Sequence, residues 1–282
     1  MTIFRVSALL LCLVWLSGCT NSAVNHVDGG NSVSRSALVA IIGDFGSGDD
    51  SERSVSEMVG KNNPEAVVTV GDNVYSNLGY EKLVGTYYGE FIKRSTFYPA
   101  TGNHDYELGI ENFDAYFGKT SQNRHYKFQI SNIEFFVLDS EQMLNNQESL
   151  SIQQKWLTDS AAQSTAKFKI VILHHPPYSS SSHHGSTQEM QWDYSKLGIN
   201  LVISGHDHTY ERLSKNGVTY VVDGTGGKTL YECGKQLQES IICLDQNFGA
   251  LFINSSSSSL SGEFKDVAGA TLDSFQIKAN SN

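Results

Sequence analysis

Five times between Ile41 and His208 a short apolar run of β-forming residues gives way abruptly to Asp, Asn or His, four times through a glycine. Ile41-Ile42 leads into Gly43-Asp44-Phe45-Gly46, and Val68-Thr69-Val70 into Gly71-Asp72-Asn73-Val74-Tyr75. Phe97–Thr101 leads into Gly102-Asn103-His104-Asp105, Ile170–Leu173 into His174-His175-Pro176, and Leu201–Ile203 into Ser204-Gly205-His206-Asp207-His208. Continuous apolar runs of this length suit strands buried on both faces. Ligands of open α/β sheets gather outside the carboxyl ends of such strands. The pattern therefore predicts five loops converging on one sheet edge, with glycines permitting the sharp exits.

The rest of the chain agrees with an α/β class. Ala37–Ile42, Ala66–Val70, Lys169–Leu173 and Asn200–Ile203 read as buried strands, and Glu52–Lys61, Glu81–Ile92 and Ile152–Ala162 as helices. His125–Ile130 and Ile133–Leu138 read as a hairpin around Ser131-Asn132. Val218–Val222, Phe248–Ile253, Gly262–Lys265 and Thr271–Ile277 make the C-terminal part strand-rich. The serines 255–259 suit a low-complexity loop, a surface strand or a hairpin tip. Neither an internal linker nor a repeat of 20 to 50 residues is visible, so residues 37–282 read as one domain.

Composition closes off several classes. A formal charge of −10 disfavours a nucleic-acid binder of the basic-patch kind. Hydrophobic residues at 39% and charged residues at 18% describe a packed globule and not a disordered chain. At the N-terminus Arg5 precedes the apolar run Val6–Leu16, too short to span a bilayer, and Leu16-Ser17-Gly18-Cys19 follows. Residues 1–18 read as an export signal. The small pair before Cys19 resembles a bacterial lipobox, which implies lipidation of Cys19 and a membrane-anchored lipoprotein on the periplasmic or cell-surface side. An ordinary secretory signal with an incidental cysteine is the alternative. Residues 19–36, polar and rich in Gly, Ser and Asn, then read as a tether. Cys12 lies in the signal, which leaves Cys233 and Cys243 as an exported pair able to form a disulfide, or two free thiols.

The ordered motifs GD, GDxxY, GNHD, H and GHxH from Asp44 to His208 resemble the calcineurin-like metallophosphoesterases, and within them the purple acid phosphatases. Many relatives carry a histidine two residues after the first aspartate, where Gly46 stands here; Tyr75 stands three residues after the second, where the purple enzymes have a tyrosine ligand. The serine/threonine protein phosphatases carry GDxxDRG, and residues 71–77 read GDNVYSN. The resemblance implies a four-layer α/β/β/α sandwich of two mixed sheets with a dimetal site at the strand carboxyl edge. It implies that Asp44, Tyr75 and His208 hold Fe3+, that Asp72 bridges, and that Asn103, His174 and His206 hold a divalent ion, Fe2+, Zn2+ or Mn2+. Hard carboxylate and phenolate oxygens suit the ferric ion, and imidazoles a borderline divalent one. The implied reaction is hydrolysis of phosphate monoesters by attack of a dimetal-activated hydroxide. Small phosphate esters are the implied partners.

His104 matches the family's histidine beside the metal site, with Asp105 as a candidate to orient its ring. His183-His184-Gly185 matches the family's phosphate-side histidines, His184 as phosphate binder or general acid and His183 as its neighbour. Imidazoles with pKa values near ~6.5 would be protonated in acid, which suits both tasks. Taken singly, Asp44 is more often a turn residue, Tyr75 a core residue and His206 a satisfied polar group. Jointly the motif order outweighs those readings. His175 is the competing register for His174, and His26 and His125 carry no assigned role. Tyr210-Glu211-Arg212 is expected to pack and pair ions. Gly224–Lys228 is read as a turn, at the rim of the site, because no helix follows it. A nucleotidase or phosphodiesterase, and a surface binding lipoprotein with an inactive site, are the alternatives.

Overall fold

A computed structural model describes residues 37–279. The signal, the tether, Cys19 and His26 lie outside the described residues. In chain order the strands are β1 (Val39–Ile42), β2 (Ala66–Thr69), β3 (Phe97–Tyr98), β4 (Tyr126–Ile130), β5 (Ile133–Val137), β6 (Phe168–Ile172), β7 (Leu201–Ser204), β8 (Tyr210–Lys215), β9 (Val218–Asp223), β10 (Ser240–Leu244), β11 (Gly249–Ser255), β12 (Ser259–Asp266) and β13 (Thr271–Lys278). The helices are α1 (Asp50–Asn62), α2 (Thr86–Lys93), α3 (Asn103–Glu107), α4 (Ile110–Phe117), α5 (Ser140–Asn145) and α6 (Gln147–Gln163).

Two mixed sheets form the centre, ordered β13-β12-β11-β1-β2-β3 and β10-β8-β9-β7-β6-β5-β4. The core-forming residues alternate along each strand. Val39 and Ile41 of β1, Val68 of β2, Phe135 and Val137 of β5, and Ile170 and Ile172 of β6 face one another in the layer between the sheets. Ala40, Ile42 and Val67 point the other way, onto Val55, Val59, Leu83 and Tyr88. Phe136, Val171 and Val202 point onto Leu157 and Ala161 of α6. This is the four-layer sandwich expected.

Several boundaries shift for local reasons. The run Phe97–Thr101 forms only a two-residue strand, because Pro99 lacks an N–H and restricts the residue before it. The helix expected from Ile152 begins five residues earlier, where the Asn146 side chain accepts from the N–H groups of Glu148 and Ser149. Over residues 81–93 a wide first turn, Glu81–Gly85, precedes α2. Serines 255–259 close the β11–β12 hairpin, the Ser256 N–H donating to the Ser259 carbonyl at 2.8 Å.

One buried carboxyl gives the fold a pH dependence. Glu52 of α1 is fully buried; its Oε2 accepts from the Gly48 N–H at 2.7 Å and its Oε1 has no partner. Burial pushes its pKa up to about 8. The folded state therefore holds this proton where the unfolded chain has lost it. That contribution is complete below about pH 4.5 and is lost as pH rises to about 8, on the order of 2–4 kcal/mol. Glu52→Gln should melt close to wild type at pH 5 and above it at pH 8. A lower melting temperature than wild type at pH 8 would contradict this assignment.

Candidate metal centre

All five expected loops meet at one edge. Asp44 and Asp72, at most 1% exposed, leave β1 and β2 with φ of 55° and 50°, and His206 follows β7 with φ of 70°. Left-handed backbone at non-glycine residues costs on the order of 1 kcal/mol each and clusters at functional sites. Here it folds each side chain back over the strand end. The His206 N–H donates to both Asp44 carboxylate oxygens at 3.1 Å, locking the first loop to the fifth. Asp72 Oδ1 accepts from the His104 N–H at 2.9 Å, locking the second to the third.

The donors fall into two groups sharing one atom. Tyr75 Oη lies 3.2 Å from Asp44 Oδ1, 3.1 Å from Asp72 Oδ2 and 3.1 Å from His208 Nε2. His174 Nε2 lies 3.4 Å from that same Asp72 Oδ2, 3.1 Å from Asn103 Oδ1 and 3.2 Å from His206 Nδ1. Ligand atoms of Asp44, Asp72 and His174 fall within 4.8 Å of one another, as a metal requires. All seven residues expected as ligands are thus brought together, with Asp72 between the two groups.

The ring tautomers test the fit. His174 Nδ1 faces the Val70 carbonyl at 2.9 Å and His208 Nδ1 the Thr229 carbonyl at 2.7 Å, so both Nδ1 protons point outward and both Nε2 atoms face inward. Each Nε2, once it gives up any proton it carries, offers a lone pair beside carboxylate and amide oxygens, an arrangement that a cation satisfies. Burial, then the Asp44 and Asp72 carboxylates, push the Tyr75 phenol far above its ordinary pKa. A cation held there would reverse that logic and favour the phenolate. The residues present fit a binuclear metal centre.

Gly46 explains why tyrosine occupies this place. A Cβ at Gly46 would lie 1.9 Å from the Asn73 carbonyl oxygen, and the Gly46 carbonyl accepts from the Tyr75 N–H at 2.9 Å. The close approach leaves no room for a histidine at Gly46 and delivers the phenol from the neighbouring loop.

His174, not His175, turns its Nε2 into the cluster. His175 Nδ1 is taken by Ser140 Oγ at 2.9 Å, and its Nε2 faces Glu141 at 3.5 Å. The expected role of Asp105 is corrected. Asp105 is buried and accepts from Tyr80 Oη at 2.8 Å, the Gly102 N–H at 2.8 Å and Asn73 Nδ2 at 2.9 Å. It ties the second loop to the third and does not reach the His104 ring. Glu107, one helical turn on, holds His104 Nδ1 at 2.8 Å instead. The i,i+3 reach along α3 could have suggested Glu107; nothing local marks Asp105 as a brace.

His183 and His184 stand exposed on the rim, the His184 ring stacked on His206 at 3.9 Å. Burial pushes His184 below the ordinary imidazole value. Two carboxylates hold this loop, Asp207 in a role the sequence did not mark and Glu211 by accepting from Ser180 where an ion pair was expected. Asp207 accepts from Ser179 Oγ at 2.6 Å, the Gly185 N–H at 3.0 Å and the His184 N–H at 3.1 Å. Buried Glu211 accepts from the Ser180 N–H at 2.6 Å. Tyr210 and Arg212 pack and pair as expected, both on Asp273. Gly224–Lys228 does line the rim: the Lys228 N–H donates to the Asp44 carbonyl at 2.9 Å, and its ammonium sits 4.7 Å over the Tyr75 ring. Cys233 and Cys243 are disulfide-bonded, Cα atoms 6.2 Å apart.

The model of the calcineurin-like phosphoesterase family matches residues 37–210, the stretch that carries every one of these donors. The chain belongs to the calcineurin-like phosphoesterase family. Purple acid phosphatase 15 of Arabidopsis thaliana is 25% identical over 241 residues, covering 67% of this chain and 44% of that protein. Probable purple acid phosphatase 20 is 27% identical over 223 residues, with 67% and 51% covered, and the Fe(3+)-Zn(2+) purple acid phosphatase 12 is 26% identical over 214, with 65% and 45%. The chain thus spans about half the length of these curated relatives. Among solved structures, the purple acid phosphatase PPD1 of yellow lupin (Lupinus luteus) seeds superposes with a TM-score of 0.70 at 20% identity, covering 87% of this chain and 54% of that one. GAP50, the anchor in the inner membrane complex of Plasmodium, gives 0.74 at 18% identity, with 87% and 90% covered. Both superpositions are likenesses of fold.

Proposed function

We propose that this chain hydrolyses phosphate monoesters as an acid phosphatase of the purple type, with Asp44, Tyr75, Asp72 and His208 around one ion and Asp72, Asn103, His174 and His206 around the other. The observation that carries the reading is the Tyr75 phenol, 3.1–3.2 Å from Asp44, Asp72 and His208 where Gly46 excludes a histidine. Phenolate beside carboxylate favours Fe3+ there, and the imidazole-rich half favours Fe2+, Zn2+ or Mn2+. Metals at these positions supply Lewis acidity to the phosphoryl oxygens and a nucleophile from water.

The chain's own residues supply the rest. The His104 Nδ1–H donates to Glu107, which leaves the Nε2–H of the imidazolium, 4.0 Å from Asp72 Oδ2, to deliver a proton to a departing alcohol. His183 and His184 add two imidazoles on the His206 side. Two imidazoles on the rim suit the three terminal phosphoryl oxygens of a monoester better than the two of a diester.

Rates on p-nitrophenyl phosphate and bis(p-nitrophenyl) phosphate at pH 5 test this reading. The monoester should lead by about a hundredfold in kcat/KM, the range one or two charge-assisted contacts supply. Equal or faster diester cleavage would favour a phosphodiesterase. No turnover of either ester by fully metallated protein would favour a binding lipoprotein. The proposal extends to export and lipid anchoring through Cys19, supported by Arg5, the run Val6–Leu16 and the small pair before the cysteine. Cys19→Ser should then leave the membrane fraction; retention there would refute the anchor.

A further inference from the structure

The rim histidines are exposed, yet their rings belong to an unbroken series. His206 stacks on His184 at 3.9 Å, His184 meets His183 at 4.4 Å, His183 stacks on Tyr231 at 4.1 Å, and Tyr231 stacks on His208 at 4.0 Å with planes 12° apart. Two metal-facing donors bracket the series, and Tyr231 closes it. Tyr231 lies beyond the stretch that matches the family model.

The backbone around Tyr231 is fastened to the same loop. The Tyr231 N–H donates to the His208 carbonyl at 3.0 Å, the Ser182 N–H to Glu232 at 3.1 Å, and the Gly234 N–H to Ser180 at 2.7 Å. Ser181 and Cys233 form an isolated antiparallel bridge. The Cys233–Cys243 disulfide carries this segment onto β10, where Cys243 pairs with Glu211, the residue that holds Ser180. The histidine loop is thus gripped from two sides, and one grip depends on the disulfide.

We propose that Tyr231, anchored by the Cys233–Cys243 disulfide, is a positioning residue that fixes His183 and His184 before phosphate arrives and so sets phosphate affinity. The link to affinity rests on the phosphatase reading above; the ordering of the loop does not. Rotamers already fixed by stacking need not be ordered by the ligand, which is how preorganisation raises affinity. Tyr231 stacks on His183 and His208 through its ring faces, so phenylalanine should serve as well as tyrosine.

The test compares Tyr231→Ala, Tyr231→Phe and the double variant Cys233→Ser/Cys243→Ser in the full chain, with melting temperature and metal content recorded. Amide hydrogen exchange of residues 180–185 should speed up in Tyr231→Ala and in the double variant, and stay at wild-type rates in Tyr231→Phe. In metal-loaded protein, Tyr231→Ala should weaken inorganic phosphate binding, and raise KM for p-nitrophenyl phosphate, by about tenfold, the scale of one lost aromatic pair, with kcat little changed. Unchanged exchange in Tyr231→Ala would overturn the positioning role. Faster exchange with unchanged phosphate affinity would overturn its link to binding. A Tyr231→Phe defect as large as that of Tyr231→Ala would mean that the hydroxyl, not the stack, does the work. If wild type binds phosphate but turns over no ester, the phosphatase reading fails while the exchange and affinity results still decide this one.

Discussion

Asp72→Asn should lower phosphoester turnover by at least about a thousandfold while leaving the fold intact, the scale of removing a metal pair's shared ligand. Asp72 Oδ2 is the one atom common to both donor groups, 3.1 Å from Tyr75 Oη and 3.4 Å from His174 Nε2. Asparagine keeps the shape but removes a charge from between two cations. Its Oδ1 neighbour, the His104 N–H at 2.9 Å, can still be accepted by the amide oxygen, so the loop should hold. In the metal-free protein, Asp72 is held below the usual carboxylate range by His174 despite its burial, and His174 is held above the usual imidazole range by Asp72 despite its own. Metal must displace that proton, so metal uptake should release protons and weaken in acid. Asp72→Asn removes the carboxylate and lets His174 neutralise, and the proton release should shrink accordingly. Initial rates, circular dichroism and pH-stat titration of metal uptake read all three effects. A folded Asp72→Asn protein with wild-type turnover would end the proposed mechanism.

The second large effect is expected from one methyl group. Gly46→Ala places a carbon 1.9 Å from the Asn73 carbonyl oxygen and 2.5 Å from its carbon, both backbone atoms that no rotamer can move aside. The loop carrying Asp44 and the loop carrying Tyr75 must separate, and the 2.9 Å bond between the Tyr75 N–H and Gly46 stretches. Overpacking of this kind costs about 1–3 kcal/mol. Turnover should fall by more than about a hundredfold, because misplacing a reacting group by an ångström costs that much. Gly60→Ala is the control: nothing lies within 4 Å of its added carbon, and it sits inside α1, so it should stabilise by about 0.5–1 kcal/mol. A Gly46→Ala protein that melts and turns over like wild type would show that the two loops are not coupled.

The donor set was legible because each donor follows its strand within a few residues. Asp44, Asp72, Asn103, His174 and His206 stand where the apolar run stops, and a β-strand turns that local pattern into a shared edge. The sandwich was legible for the same reason, its strands being nearly continuous apolar runs. Elements without such a signature escaped. α3 has only five residues and begins on a donor, and β8 and β10 mix polar and apolar positions at a sheet edge. The braces escaped too. Asp105 reaches Tyr80 and Asn73, Glu211 reaches Ser180, and Tyr231 reaches His183 and His208 only once the chain has folded, and no spacing encodes these meetings. Asp105 looked like a partner for His104 because it is the next residue, yet on a helix adjacent side chains diverge and i,i+3 pairs meet, as His104 and Glu107 do.

The visible absorption spectrum of the protein purified in air, beside Tyr75→Phe, tests the central claim most directly. A charge-transfer band near the purple region in wild type, absent from Tyr75→Phe at equal iron content, is the expected result. It would establish a ferric–phenolate bond at Tyr75 and with it the oxygen-rich half of the centre. A colourless wild-type protein with full metal content, or a band that survives in Tyr75→Phe, would contradict the account and leave a phosphoesterase whose metals are held in another way.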